Sequence, residues 1–110
     1  MDLTRETAYT AVRELKKRLR EQFGDTTEVY LFGSVARGDF DAESDIDVLV
    51  LIEGEVDWNI KEAVYDVSFS LELEYDVIFG VIVRSKKFWR SSLACAMPIH
   101  QNIEQEGDLV

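Results

Sequence analysis

The sequence has one cysteine, no long apolar run and fewer basic than acidic residues, and each of these shortages excludes a class of protein. One cysteine among 110 residues, Cys95, cannot form an internal disulfide or a cysteine-based zinc site, so we expect a reducing compartment. The longest apolar run, 77–83, is far shorter than the roughly 20 residues that span a bilayer. Acidic residues stand near the start, where a signal peptide needs an apolar stretch. We therefore predict an untargeted, cytoplasmic protein that does not contact a membrane.

Basic residues are outnumbered by acidic residues, 12 to 22, which gives a formal net charge of -10. A surface this negative repels nucleic-acid phosphates, so bulk nucleic-acid binding is not expected. A hydrophobic content of 46% is enough for a folded core, and 110 residues suffice for one core rather than two. The chain is therefore predicted to be a single domain, residues 1–110, whose oligomeric state the sequence leaves open.

The first half of the chain predicts one helix and two strands. Apolar residues recur at helical spacing over 4–23, and Gly24 follows them as a stop signal. Residues 28–32 are β-prone and end at a predicted tight turn, Gly33-Ser34. Residues 46–52 are almost continuously apolar, which is typical of a strand covered on both faces. This segment is therefore the predicted central strand.

The second half predicts a covering helix, a third strand and a final helix. Asp57 is a candidate cap for a helix that would continue through Leu71. Residues 73–83 return to a β-rich composition, and Pro98 is typical of the first turn of a helix that would end before Gly107. The predicted fold class is therefore α/β, a small mixed β-sheet with helices packed on it.

Two aspartates stand at the start of the predicted central strand. The pattern is Gly33-Ser34, ten further residues, and then Asp45-Ile46-Asp47. Residues two apart in a strand point to the same face, so Asp45 and Asp47 would present their carboxylates side by side. The repulsion between them is relieved if both bind Mg²⁺, a hard cation that prefers carboxylate and phosphate oxygens. The pair therefore indicates a metal site.

The Gly33-Ser34 pair supplies the groups that a phosphate needs. Glycine lets the backbone turn tightly and approach a ligand, and N–H groups beyond the strand and the Ser34 hydroxyl can donate to phosphate oxygens. By itself the dipeptide is more often an ordinary turn. Combined with Asp45 and Asp47 at the same sheet edge, it predicts a site for a metal-bound triphosphate.

This segment resembles the nucleotidyltransferase fold of the DNA polymerase beta superfamily, and in particular its minimal nucleotidyltransferases, often encoded beside HEPN-domain toxins. The motif matches at Gly33, Ser34, Arg37, Gly38, Ser44, Asp45, Ile46 and Asp47. The resemblance implies an α-phosphoryl transfer from ATP with Mg²⁺, with two ions expected. It also implies a third metal-binding carboxylate from a later strand, for which Asp76 is the choice and Asp66, inside a predicted helix, the competitor. Asp45, Asp47 and Asp76 would then be catalytic, and Gly33, Ser34, Arg37 and Ser44 would bind the nucleotide.

The resemblance further implies an antitoxin that transfers AMP to a hydroxyl, chosen as tyrosine, of a HEPN-type partner. Two alternatives stay open: a non-catalytic module that neutralises its partner by binding, and transfer to a small molecule. Arg37 has two roles of equal weight, neutralising phosphate or bridging Asp39 or Asp41. His100, the single histidine, is expected to have a packing or surface role.

Overall fold

The computed structural model describes residues 3–110. The expectation that no signal peptide is present rests in part on Met1 and Asp2, which lie outside the described residues. The helices and strands follow one another as α1 (Arg5–Phe23), β1 (Glu28–Phe32), α2 (Gly33–Arg37), β2 (Ile46–Ile52), α3 (Trp58–Tyr75), β3 (Phe79–Ser85), α4 (Lys86–Trp89), α5 (Ser92–Cys95), α6 (Pro98–Glu106) and β4 (Asp108–Leu109). Within residues 3–110, no helix is long and apolar enough to cross a membrane.

The strands form one mixed sheet in the order β3-β2-β1-β4. β2 pairs in parallel with β3 and antiparallel with β1, so it is central, as its apolar sequence predicts. The crossover from β2 to the parallel β3 runs through α3, as parallel pairing requires. The predicted fold class, a mixed sheet with helices packed on it, is confirmed.

The sheet has two different faces, and the candidate site lies on one of them. Val48 and Val50 belong to the larger core, which also holds the buried residues of α1 and α3. Leu49 and Leu51 face the opposite way, into a smaller core with residues of α4 and α6. Because side chains alternate along a strand, Asp47 is on the same face as Leu49 and Leu51.

The helix α3 begins as predicted but ends later than predicted. The Asp57 carboxylate caps it by accepting a hydrogen bond from the N–H of Ile60 at 2.9 Å. The prediction of a strand over 73–83 is wrong in its first part, because α3 continues through Tyr75 and β3 begins only at Phe79. Residues 71–74 read Leu-Glu-Leu-Glu, which imitates the two-residue period of a strand, yet Leu73 is 72% exposed on the helix surface.

Short elements account for the remaining differences. The segment between β3 and α6, for which the sequence pattern predicts no element, contains α4 and α5. The strand β4 pairs with β1 through Tyr30 and Leu109 and was not predicted. Segments of two to four residues are too short to show a hydrophobic period, so sequence pattern cannot reveal them.

Candidate active site

Asp45 and Asp47 lie together at the start of β2. Asp45 is exposed and immediately precedes the strand, whereas Asp47 is the second residue of β2 and is half-buried. Burial raises the pKa of the Asp47 carboxyl above its ordinary value, the negative charge of Asp45 raises this pKa further, and the positive charge of Arg37 lowers it. The structure therefore places the two predicted carboxylates within electrostatic reach of each other and of Arg37.

The carboxylate of Asp47 lies beside two glycines. Phe32, the residue before Gly33, pairs with Asp47 across β1 and β2, and Gly80 pairs with Asp47 across β2 and β3. A Cβ atom at Gly33 would collide with Oδ2 of Asp47, and a Cβ atom at Gly80 would lie 2.7 Å from Oδ1. Both positions therefore need glycine for the carboxylate to keep its orientation.

The Gly33-Ser34 pair opens α2 rather than forming a simple turn. Gly33 has a φ angle of 74°, in the left-handed region that favours glycine. The carbonyl oxygen of Ser34 accepts hydrogen bonds from the N–H of Gly38 at 2.9 Å and the N–H of Asp39 at 3.1 Å. The Ser34 hydroxyl makes no hydrogen bond to any part of the chain from residue 3 onward. It is therefore available to a ligand.

Arg37 connects the motif to the C-terminal helix. Its Nε donates to Oδ2 of Asp39 at 3.2 Å, and its Nη1 donates to Oε2 of Glu106 on α6 at 2.9 Å. The predicted bridge to Asp39 is therefore present, together with a contact to Glu106 that the sequence did not indicate. These contacts leave the phosphate-binding role of Arg37 a prediction.

Ser44 and Asp76 lie to one side of this arrangement. The Ser44 hydroxyl accepts a hydrogen bond from the N–H of Asp41 at 2.9 Å and donates to Oδ1 of Asp41 at 3.2 Å, so it braces the loop before β2. Asp76 is exposed and follows the last residue of α3, with a φ angle of 55°. Ser44 and Asp76 both line a cavity of about 140 Å³.

The structure does not gather the three predicted metal ligands. In the part of the chain that the structure describes, no group of three or more Asp, Glu, His or Cys side chains is arranged to hold a metal ion. Asp45 and Asp47 are brought together, and Asp76 does not complete a three-carboxylate group with them. The competitor Asp66 is an exposed residue of α3.

Two residues that contact the site were missed by sequence reasoning: Gly80 and Glu106. Gly80 had a usable signal, because an isolated glycine inside a strand pattern often marks a close backbone approach. Glu106 contacts Arg37 through the tertiary fold, and acidic residues are too common in this sequence to single it out. Asp41, the other predicted partner of Arg37, bonds to Ser44. Only Gly80 could therefore have been found from the sequence.

Two other features are separate from the predicted site. His100 is buried against Trp89, with ring centroids 4.4 Å apart, which is the packing role expected of it. A cavity of about 540 Å³ lies between α1 and β4, and none of the predicted site residues lines it. Neither feature therefore contributes to the Asp45 and Asp47 site.

Comparisons with known proteins identify relatives of this arrangement. The sequence profile of the family described as "Nucleotidyltransferase domain" matches residues 12–100. A candidate protein adenylyltransferase of Methanocaldococcus jannaschii is 35% identical over 98 residues, which cover 88% of this chain and 91% of that protein.

Solved structures share the fold. A toxin-antitoxin structure with AMP-PNP aligns with a TM-score of 0.59 and 20% identity, over 97% of this chain and 72% of that chain. A complex of tri-AMPylated HEPN toxin and MNT antitoxin from Shewanella oneidensis aligns with a TM-score of 0.57 and 20% identity, over 93% of this chain and 70% of that chain.

Proposed function

Because the chain belongs to the nucleotidyltransferase domain family, we propose that it transfers AMP from ATP to a hydroxyl group of a HEPN-type toxin in the cytoplasm, acting as its antitoxin. The acceptor we propose is a tyrosine. Its oxygen forms a bond to the α-phosphorus, the bond from this phosphorus to the bridging oxygen breaks, pyrophosphate leaves, and the hydroxyl proton is released. The observation that carries the proposal is the pair of carboxylates, Asp45 and Asp47, beside Gly33 at the start of α2.

Asp45 and Asp47 would hold Mg²⁺. Their mutual repulsion, which contributes to the raised pKa of Asp47, is the electrostatic condition that a divalent cation relieves. When bound there, Mg²⁺ supplies charge neutralisation to the triphosphate and makes the acceptor hydroxyl more acidic. Gly33 and Gly80 have no side chain to displace the Asp47 carboxylate, so the carboxylate would need no rearrangement to receive a ligand.

The motif around α2 would hold the phosphates. The free hydroxyl of Ser34 can donate to a phosphate oxygen. Arg37 is exposed and its positive charge lowers the pKa of Asp47, so we propose that the guanidinium turns toward the phosphates when its bond to Glu106 gives way. Ser44 would act by bracing the loop that leads to Asp45.

A protein acceptor needs a docking surface, and we propose that it lies on α3. Trp58, Phe69 and Leu73 are 66%, 59% and 72% exposed and lie along one side of the helix. An exposed apolar surface of this kind is typical of a protein interface. The exposed ionisable neighbours Glu62 and Asp66 are acidic, so the HEPN-type partner should present basic groups to them.

A specific observation favours a second candidate function, the binding module. None of the residues of β3 is acidic, so the strand beside Asp47 supplies no carboxylate to the site. A chain with a weakened metal site would still neutralise a toxin by covering it. The docking surface on α3 would serve either function.

Suppression of toxicity distinguishes the two functions. Cells expressing the candidate HEPN-type partner would be tested for rescue by the wild-type chain, by Asp45→Asn and by the charge-matched control Asp25→Asn, which changes an exposed residue before β1. Adenylyl transfer predicts rescue by the wild type and Asp25→Asn but not by Asp45→Asn. Equal rescue by all three chains, at equal expression, would contradict the transfer and favour the binding module.

A further inference from the structure

Three carboxylates are expected of this site, and the structure assembles two of them. The parallel register pairs Asp47 with Gly80, and paired residues of parallel strands point to the same face of the sheet. A side chain at position 80 would start 2.7 Å from Oδ1 of Asp47. Position 80 is therefore the place on β3 from which another carboxylate could share an ion with Asp47, and glycine has no side chain to offer.

No neighbouring position of β3 replaces it. Phe79, Val81 and Val83 belong to the core on the opposite face of the sheet. Ile78 and Ile82 share the face of Gly80 by alternation, and neither carries a ligand atom. This face of β3 therefore contributes apolar groups and bare backbone beside Asp47.

Asp76 lies before the strand. Asp76 follows α3 directly and has a left-handed backbone conformation. The chain joins the start of β2 two residues later, where the carbonyl oxygen of Ile78 accepts a hydrogen bond from the N–H of Ile46 at 2.8 Å. The surroundings of Asp76 include Ser44 and Leu3, in the small cavity described above. Within residues 3–110 no trio of ligating side chains is formed, by Asp76 or by any other residue.

We propose that this chain's metal centre is built from two carboxylates only, those of Asp45 and Asp47, with Gly80 where a third would stand, and that the triphosphate completes the coordination. The inference rests on the proposed function. Mg²⁺ and Mn²⁺ need about six oxygen ligands, and two carboxylates leave most positions to water and phosphate. The ion therefore binds together with the nucleotide rather than ahead of it.

Mn²⁺ binding tests this order without any measurement of activity. The relaxation rate of water protons rises when Mn²⁺ is held on a protein, so it distinguishes the ternary complex from Mn²⁺ bound to free nucleotide. The full chain would be titrated with Mn²⁺ alone and with Mn²⁺ and α,β-methylene-ATP, which cannot transfer AMP. We expect little enhancement from the chain alone and a large one with the nucleotide. Strong enhancement without nucleotide would overturn the proposal.

Variants identify the ligands. Asp76→Asn keeps a residue type that tolerates left-handed backbone, so the end of α3 is preserved, and Asp25→Asn, at an exposed position before β1, is the matched charge control. We expect Asp47→Asn to weaken the ternary complex at least about tenfold, and Asp76→Asn to stay within about twofold of Asp25→Asn. A loss in Asp76→Asn as large as that in Asp47→Asn would overturn the proposal. Absence of any nucleotide-dependent enhancement in the wild type would instead refute the proposed function, and this coordination with it.

Gly80→Ala gives an independent readout. Its methyl group would displace the Asp47 carboxylate, so the variant should weaken the ternary complex although no ligand has been removed. If Gly80→Ala forms the ternary complex as tightly as the wild type while Asp47→Asn is impaired, a side chain at position 80 does not disturb the Asp47 carboxylate. That result would contradict the role given to Gly80.

Discussion

Arg37 donates a hydrogen bond to Glu106 at 2.9 Å, and this contact joins the Gly33-Ser34 motif to the C-terminal helix α6. The pair is partly exposed and therefore contributes little to stability. It does determine where the guanidinium lies before ATP arrives. A phosphate-binding role for Arg37 requires that the guanidinium exchange Glu106 for a phosphate oxygen.

Removal of the Glu106 charge should therefore strengthen nucleotide binding. Glu106→Gln releases Arg37 from its carboxylate partner on α6, and we expect ATP affinity to rise by about twofold to fivefold, a few tenths of a kcal/mol to 1 kcal/mol. Isothermal titration calorimetry with Mg²⁺ and α,β-methylene-ATP measures it. A weaker affinity would mean that Glu106 positions Arg37 for the ligand, and no change would favour the loop-bridging role.

Replacement of Asp47 should stabilise the metal-free protein. The folded state raises the pKa of Asp47, chiefly by burial, so the folded protein binds this proton more tightly than the unfolded chain does. The stability from this group is therefore present at low pH and lost as pH rises from the ordinary value of 3.8 through the raised folded value. Asp47→Asn should thus withstand more urea than the wild type at pH 7 in EDTA, and the difference should shrink toward pH 4. A destabilised variant at pH 7 would contradict this electrostatic interpretation.

Gly33 should be required for the orientation of Asp47 as well as for the backbone. Gly33→Ala and Gly54→Ala both place alanine at a positive φ, 74° and 84°, which costs about 1–2 kcal/mol of unfolding free energy. Only the Gly33 methyl would meet the Asp47 carboxylate, since nothing lies within 4 Å of a Cβ at Gly54. We expect transfer activity to survive in Gly54→Ala and to fall about 100-fold or more in Gly33→Ala. Equal activity in the two variants, both checked by urea unfolding, would remove Gly33 from the site.

The hydroxyl of Ser34 should matter for ATP and not for folding. It has no hydrogen-bond partner in the described chain, so Ser34→Ala removes no hydrogen bond from the folded protein. Loss of one hydrogen bond to a charged phosphate is worth about 1.5–3 kcal/mol, an affinity loss of roughly 10-fold to 150-fold. Ser70→Ala, on the exposed side of α3, is the matched control. An ATP affinity in Ser34→Ala equal to that of the control would return Ser34 to the role of a turn residue.

Sequence periodicity predicted the parts of the fold that bury apolar side chains at a regular spacing. The central strand 46–52 and the first strand 28–32 have the predicted bounds, and the predicted helix over 4–23 starts one residue later because Thr4 is its cap. The bounds of the other elements, such as the end of α3, depend on tertiary contacts. Residues 71–74 alternate like a strand but continue a helix whose buried face includes Leu71.

The candidate site was predictable where its residues are adjacent in sequence and not where they meet through the sheet. Asp45 and Asp47 are two residues apart, so strand geometry alone places them on one face. The neighbour of Asp47 on β3 depends on the register between two strands, which no local pattern specifies. That register brings Gly80, rather than Asp76, next to Asp47.

The decisive measurement is the intact mass of the HEPN-type partner after incubation with the chain, ATP and Mg²⁺. Transfer predicts that the partner gains the mass of one or more AMP units, that fragmentation places them on a tyrosine, and that Asp47→Asn produces about 100-fold less product. The matched control Asp25→Asn should act like the wild type. A partner that binds the wild-type chain but gains no AMP, while its toxicity is still suppressed, would contradict the enzyme and favour neutralisation by binding.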